Sequence, residues 1–160
     1  MKWQMVSVLM VAGMLCGAAR AFGGELALGS VPAHRGDIAS VPVTYRPGSG
    51  TAVALATDIR FNAVVLMHPR CEPGSALTGT ATGTKSVKCD SRRSGLVHLA
   101  VVGVGHDTSP LPAGEVARVI FDVGQNAGRH QYELEQRATA SNADGRNIRL
   151  KTRSGAVRVD

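Results

Sequence analysis

Aromatic side chains are scarce in this sequence, and beyond residue 21 they are only Phe22, Tyr45, Phe61, Phe121 and Tyr132. That scarcity argues against a flat stacking platform for sugar rings. It argues equally against a nucleic-acid surface, where aromatics interleave with clustered basic residues. Basic residues are not clustered either, since only Arg92 and Arg93 adjoin. Long apolar runs are missing too: the one candidate, from about Val6 to Leu15, falls well short of the roughly 20 residues of a membrane span. Catalytic signatures are also lacking. The chain has no G-x-S-x-G elbow, no H-E-x-x-H zinc helix and no phosphate-binding glycine loop.

The opening "MKWQMVSVLMVAGMLCGAARA" combines a Lys, a short apolar run and the small-residue ending Ala19, Arg20, Ala21. This is the pattern of a secretory signal peptide over residues 1–21, cleaved after Ala21. Cys16 raises a lipoprotein alternative, which Leu15 before it fits poorly. The remaining 22–160 suffices for one domain with one core and is short for two. Without Lys2 and Arg20, 16 basic residues face 12 acidic ones, a formal charge of +4 spread along the chain as a solvated surface. No stable membrane insertion and no nucleic-acid partner are expected of the processed protein. It should lie in the periplasm or outside the cell.

Once Cys16 is removed, Cys71 and Cys89 remain, an even count in an oxidising compartment, and a disulfide between them is expected. Closing a loop of that length stabilises a fold by about 3 kcal/mol in the chain-entropy account. A two-cysteine metal site would need His or carboxylate ligands at finger-like spacing, and none is present. No cofactor is expected.

Short segments rich in Val, Ile, Thr, Phe and Tyr, divided by Gly, Pro, Ser and Asn clusters, predict an all-β domain. In "SVPVTYRPG", Val41, Val43 and Tyr45 share one face; Pro42 lacks a ladder donor, so this strand should lie at an edge or pair on one side there. "TAVALATDIRFN" places Val53, Leu55, Thr57, Ile59 and Phe61 inward, and Ala54, Ala56, Asp58 and Arg60 outward. "GLVHLAVVGVG" is apolar on both faces and predicts a central strand covered on both sides. "HQYELEQRATASN" carries Tyr132 and Leu134 between charged neighbours, "NADGRN" holds the Asp-Gly pair of a tight hairpin turn, and "NIRLKTRSGAVRV" reads as two strands about Ser154 and Gly155. "GEVARVIFDVG" fits both a helical and an extended period; its short length, β-branched density and preceding Pro110 and Pro112 favour a strand. Eight or nine strands and no long helix suggest two sheets face to face. The stretch from about Met67 to Asp90, containing "EPGSALTGTATGTKS", reads as a flexible surface excursion stapled by the cysteines.

Chemistry-bearing residues are few. "GHDTS" places His106, Asp107 and Ser109 close in sequence, whereas a triad converges from separate elements; a polar turn is the simpler reading. His98 in its apolar strand reads as a hydrogen-bonded core or sheet-face residue, and His34, His68 and His130 sit near turns. Asn142, Asp144 and Asn147 lack the ligand spacing of an EF-hand.

The order of four stretches resembles the cohesin domain, a nine-stranded β-sandwich with jelly-roll topology related to bacterial cellulose-binding modules. "LALGSVPAHRGDIASVPVTY", with its Gly36-Asp37 turn, looks like the opening strand pair. "VALATDIRFNAVVL" is similar to the long strand with its aromatic ending and apolar coda, although Asn62 and Ala63 stand where Asp and Pro are common. "GEVARVIFDV" resembles the strand ending Phe-x-Val, and "NADGRNIRLKTRSGAVRV" the closing turn and hairpin. The resemblance implies a secreted, non-catalytic binding module with a dockerin-like protein partner or a polysaccharide. Cohesins bind dockerins through one sheet face. The outward Ala54, Ala56, Asp58 and Arg60 are a candidate patch for such binding. A carbohydrate-binding domain acting directly on polysaccharide is the alternative, and a small secreted hydrolase the more distant one.

Overall fold

A computed structural model describes residues 22–78 and 84–160. The segment read as a signal peptide, 1–21, lies outside the described residues, as does 79–83. The described chain is all-β, with a single short 3-10 turn at Ser75–Leu77. Its strands are β1 (Phe22–Leu28), β2 (Ser30–Ala33), β3 (Ile38–Pro47), β4 (Ala54–Arg60), β5 (Leu66–Pro73), β6 (Lys85–Asp90), β7 (Leu96–Gly103), β8 (Gly114–Val123), β9 (His130–Ser141), β10 (Asn147–Arg153) and β11 (Gly155–Val159). Eleven strands stand where nine were expected, because the opening is cut into β1 and β2 and the excursion read as a loop contains β5 and β6.

Hydrogen bonding runs along one path, β5-β8-β3-β1-β10-β9-β4-β7-β6, with β11 joining β9 to β2. The path folds back on itself as two layers over one core. Val41, Val43, Tyr45, Val119 and Phe121 come from one layer, and Leu55, Ile59, Val97, Leu99 and Val101 from the other. The Phe61 and Phe121 rings meet at 5.0 Å between centroids. The Cys71–Cys89 disulfide links β5 to β6, the two ends of the path. The staple therefore closes the sandwich along its open side.

The alternating segments fold as read. Leu55, Thr57 and Ile59 are buried, while Asp58 and Arg60 are exposed. "GEVARVIFDV" is a strand, and a bulge opposite Val43 and Thr44 explains why its pattern also fitted a helix: Val116 and Ala117 are adjacent and both fully buried. Pro42 lies in an interior strand. Its carbonyl accepts from Gly29 N–H just past the last β1 partner, Leu28, so its missing donor falls where the β1 ladder has ended. The Asp-Gly turn joins β9 to β10, with Gly145 at φ +74° and Asn142 Oδ1 accepting from the Asp144 and Arg146 N–H groups.

Three expectations need correction. "GLVHLAVVGVG" is not covered on both faces: Val97, Leu99 and Val101 are buried, but His98 is exposed and Leu96, Ala100 and Val102 are half-buried on an open outer surface. The span from Met67 to Asp90 is not mainly a loop, since β5 and β6 occupy most of it, each paired along one edge. The closing segment is not a hairpin. β10 pairs with β1 and β9, whereas β11 pairs with β9 and β2, so the chain switches partners at Ser154. Gly155 makes that switch possible, because a Cβ there would lie 2.1 Å from the Gly29 carbonyl oxygen.

Candidate functional site

The outer surface of β6, β7, β4 and β9 is one sheet face whose composition is set by register. Directly opposed residues of antiparallel strands point to the same side, so the pairings give its rows. One row runs Asp90, His98, Asp58, Arg137, and the next Lys88, Ala100, Ala56, Thr139, continued on β10 by Arg149. A third runs Ser86, Val102, Ala54, Ser141. Leu96, Arg60 and Glu135 form the row at the opposite end. Small side chains thus fill two rows at one end of the face, with Lys88 and Arg149 at the ends of the Ala100, Ala56, Thr139 row, and charged ones dominate the two rows at the other end.

All four sequence-selected residues, Ala54, Ala56, Asp58 and Arg60, lie on this face, along β4. The sequence reading missed their neighbours on β7 and β9. Alternation in "HQYELEQRATASN" carried the signal for Glu135, Arg137 and Thr139, as the outward set beside Leu134. His98 is a sheet-face residue, and its Nδ1 lies 2.6 Å from Asp58 Oδ1. Asp58, Arg60, Arg93, Leu96, Glu135, Gln136 and Arg137 line a shallow cleft at the charged end of the face. Gln136 points inward from it, donating to the Leu26 and Arg153 carbonyls.

The "GHDTS" residues do something different. His106 is exposed on the loop after β7. Asp107 turns inward, where Oδ1 accepts from the Ser109 N–H at 2.8 Å and Oδ2 lies 3.3 Å from Lys85 Nζ. The Ser109 hydroxyl and N–H, with Lys85 beside them, hold the Asp107 carboxyl below the usual carboxylate range. Lys85 points inward from the start of β6, its side chain 1% exposed, and Nζ also donates to the Ser109 carbonyl at 2.7 Å. The cluster is a buried clamp on a turn. An ammonium bound to carbonyls and a carboxylate has no lone pair to offer as a base.

The opposite outer surface, on β5, β8, β3 and β1, pairs most of its charges, with Arg46 on β3 left without an ion pair among the described residues. Arg70 reaches Asp122 at 2.9 Å with His68 on the same carboxylate, and Arg118 meets Glu115 at 2.6 Å. Arg70 and His68 hold the Asp122 carboxyl below its ordinary range. Lys151 and Arg153 flank Glu25 at 3.9 and 4.0 Å.

No protein-family model matches the sequence, and no curated protein matches it. Solved structures do match. The sixth cohesin of Acetivibrio cellulolyticus scaffoldin B, solved in complex with a Cel5 dockerin variant, superposes with a TM-score of 0.72 at 17% identity, covering 86% of this chain and 99% of that one. A cohesin from Clostridium acetobutylicum gives 0.71 at 18% identity over 87% and 92%. A non-cellulosomal cohesin from the archaeon Archaeoglobus fulgidus gives 0.64 at 17% identity over 85% and 90%. At these identities the likeness is one of architecture: the two layers, the strand path and the outer sheet face of this chain form a cohesin-like fold.

Proposed function

We propose that this chain is a secreted, non-catalytic binding module that takes a dockerin-like protein partner on the β6-β7-β4-β9 face. The observation that carries the reading is the combination of a cohesin-like fold with a sheet face bearing rows of small residues that nothing within the described chain covers. The Acetivibrio neighbour was solved with a dockerin, and a further cohesin, from Clostridium thermocellum, was solved with another. Ala54, Ala56 and Ala100 let a partner's backbone come close, and the surrounding charges fix its orientation. The disulfide fits an oxidising compartment, in keeping with export.

A direct polysaccharide role finds less support. Tyr45 and Phe121 are fully buried, Phe61 and Tyr132 half-buried, the exposed Phe22 lies at the start of β1, and none of the rows on the face contains Phe, Tyr or Trp. Hydrolysis finds less still, because Asp107 and Ser109 are engaged with each other and with Lys85.

Calorimetric titration with a panel of dockerin modules and with soluble cellulose and xylan fragments tests the reading. Binding to a dockerin should occur and should be lost in Ala56→Trp, whose bulky ring would stand out from the sheet face, with the unfolding midpoint unchanged. Binding to glycan alone, indifferent to Ala56→Trp, would overturn it.

A further inference from the structure

The two outer faces differ in how their charges are met. On the β5-β8-β3-β1 side, Arg70 and Arg118 each have a carboxylate, at 2.9 and 2.6 Å, and Lys151 and Arg153 of the neighbouring β10 lie 3.9 and 4.0 Å from Glu25, while Arg46 has no ion pair among the described residues. Across the proposed binding face, Arg60, Lys88, Arg93, Arg137 and Arg149 have no ion pair among the described residues. Register makes the mismatch sharper. Arg137 stands directly opposite Asp58, yet Asp58 Oδ1 is held by His98 at 2.6 Å on the other side. Asp90 is paired with Arg92 at 3.5 Å. Glu135 has no ion pair among the described residues, although Arg60 is its cross-strand neighbour.

The unmatched cations are also placed in a pattern. Lys88 on β6 and Arg149 on β10 bound the Ala100, Ala56, Thr139 row at its two ends. Four strand spacings separate them, about 19 Å. Arg60, Arg93 and Arg137 sit together at the third side, in the shallow cleft. In water such cations need no partner. Under a docked surface they would lose hydration, and only opposed carboxylates would offset that cost.

We propose that the partner is a protein segment with carboxylates flanking an uncharged centre: the centre rests on Ala56 and Ala100, and the carboxylates meet Lys88, Arg149 and the Arg60, Arg93, Arg137 cluster. This rests on the binding-module reading and names the chemistry the face selects. A polyanion of uniform charge fits less well, because Asp58, Asp90 and Glu135 lie among the cations and would repel it at fixed positions. A partner with spaced acids can place its neutral residues there. Electrostatic steering then makes its association fast and salt-sensitive.

The probe is a 20-residue helical peptide of Ala and Gln carrying Glu only near its two ends, about 13 residues or about 19 Å apart around an uncharged centre, titrated into the isotopically labelled protein and followed by NMR. A matched peptide with Lys in place of Glu and oligogalacturonate serve as comparisons. Amides of Ala56, Ala100, Arg137 and Thr139 should shift with the Glu peptide, and the affinity should fall by about tenfold between roughly 50 and 500 mM salt. Arg60→Glu combined with Arg137→Glu should weaken binding about tenfold, whereas Arg118→Glu on the opposite face should not. Shifts scattered over both faces, equal binding of the Lys peptide, or tighter binding of oligogalacturonate would overturn the assignment. A dockerin that docks on this face without salt dependence would refute the charge requirement while leaving the module reading intact.

Discussion

Replacing Gln136 with Leu should destabilise the fold far more than a change on a polar-looking strand suggests. β9 pairs with β10 at Thr139 to Ser141 and with β11 from His130 to Leu134, leaving a gap in the ladder between the two. Gln136 fills that gap from inside, at 8% exposure. Its Nε2 donates to Leu26 O and Arg153 O, both at 2.8 Å, and Oε1 accepts from the Thr57 hydroxyl at 3.2 Å. Leucine occupies similar volume but satisfies none of these groups. An orphaned buried polar group costs about 1–3 kcal/mol. The added apolar burial returns about 1–2 kcal/mol. Two carbonyls and one hydroxyl, less that return, give a loss of about 3 kcal/mol, or about 10 °C in Tm for a domain of this size. Thr57→Val alone should cost about 1 kcal/mol, since it strands only Oε1. The double variant should cost less than the two singles together, because both partners of one hydrogen bond are then gone. Urea denaturation of the four proteins with the disulfide intact measures these terms. A loss under about 1 kcal/mol for Gln136→Leu, or strict additivity, would refute the claim that this amide closes the sheet.

Other outcomes follow from the same contacts. Cys71→Ser with Cys89→Ser should lower stability by about 3 kcal/mol, read as a urea midpoint shift, because the bridge closes a loop of 18 residues. Asp107 has a lowered folded pKa, so its contribution is fully present above the unfolded value of about 3.9 and is lost as pH falls through the lower folded value. Stability measured against pH should therefore bend downward below about pH 4, and Asp107→Asn should flatten that limb. Gly155→Ala should cost about 2–3 kcal/mol or prevent folding, seen as lost soluble yield, because its Cβ would meet the Gly29 carbonyl and Leu28.

The layers were legible because inward positions of β3 and β4 carry large apolar groups and outward ones do not. Val41, Val43 and Tyr45 read correctly for that reason, as did Leu55 and Ile59. Polar residues at inward positions were legible only where alternation was long, as at Thr57: Gln136 and Lys85 look like surface residues by type, and only their period-two spacing from Leu134 and Val87 marks them as interior. The partner switch at Ser154 was hidden as well. Alternation gives a strand's faces but not its neighbours, so β10 and β11 read as a hairpin although they never pair with each other.

The misreading of β7 bears most directly on function. A strand with apolar residues on both sides usually has a cover on both sides, and "GLVHLAVVGVG" was read that way. Its outer residues Leu96, Ala100 and Val102 are instead only half-buried, lying between β4 and β6 with nothing among the described residues stacked above them. The opposite outer face ties most of its charges, Arg46 excepted, into pairs within the chain, whereas this one presents small apolar groups and several unmatched cations together. Each feature alone is ordinary on a soluble surface. Their coincidence on one sheet face is what an absent partner would explain, since its docking would cover Ala56, Ala100 and Val102 and neutralise Lys88 and Arg137 in one step. On the proposed binding-module reading, the apparent excess of hydrophobicity in β7 would belong to an assembled state, written into the sequence of one component.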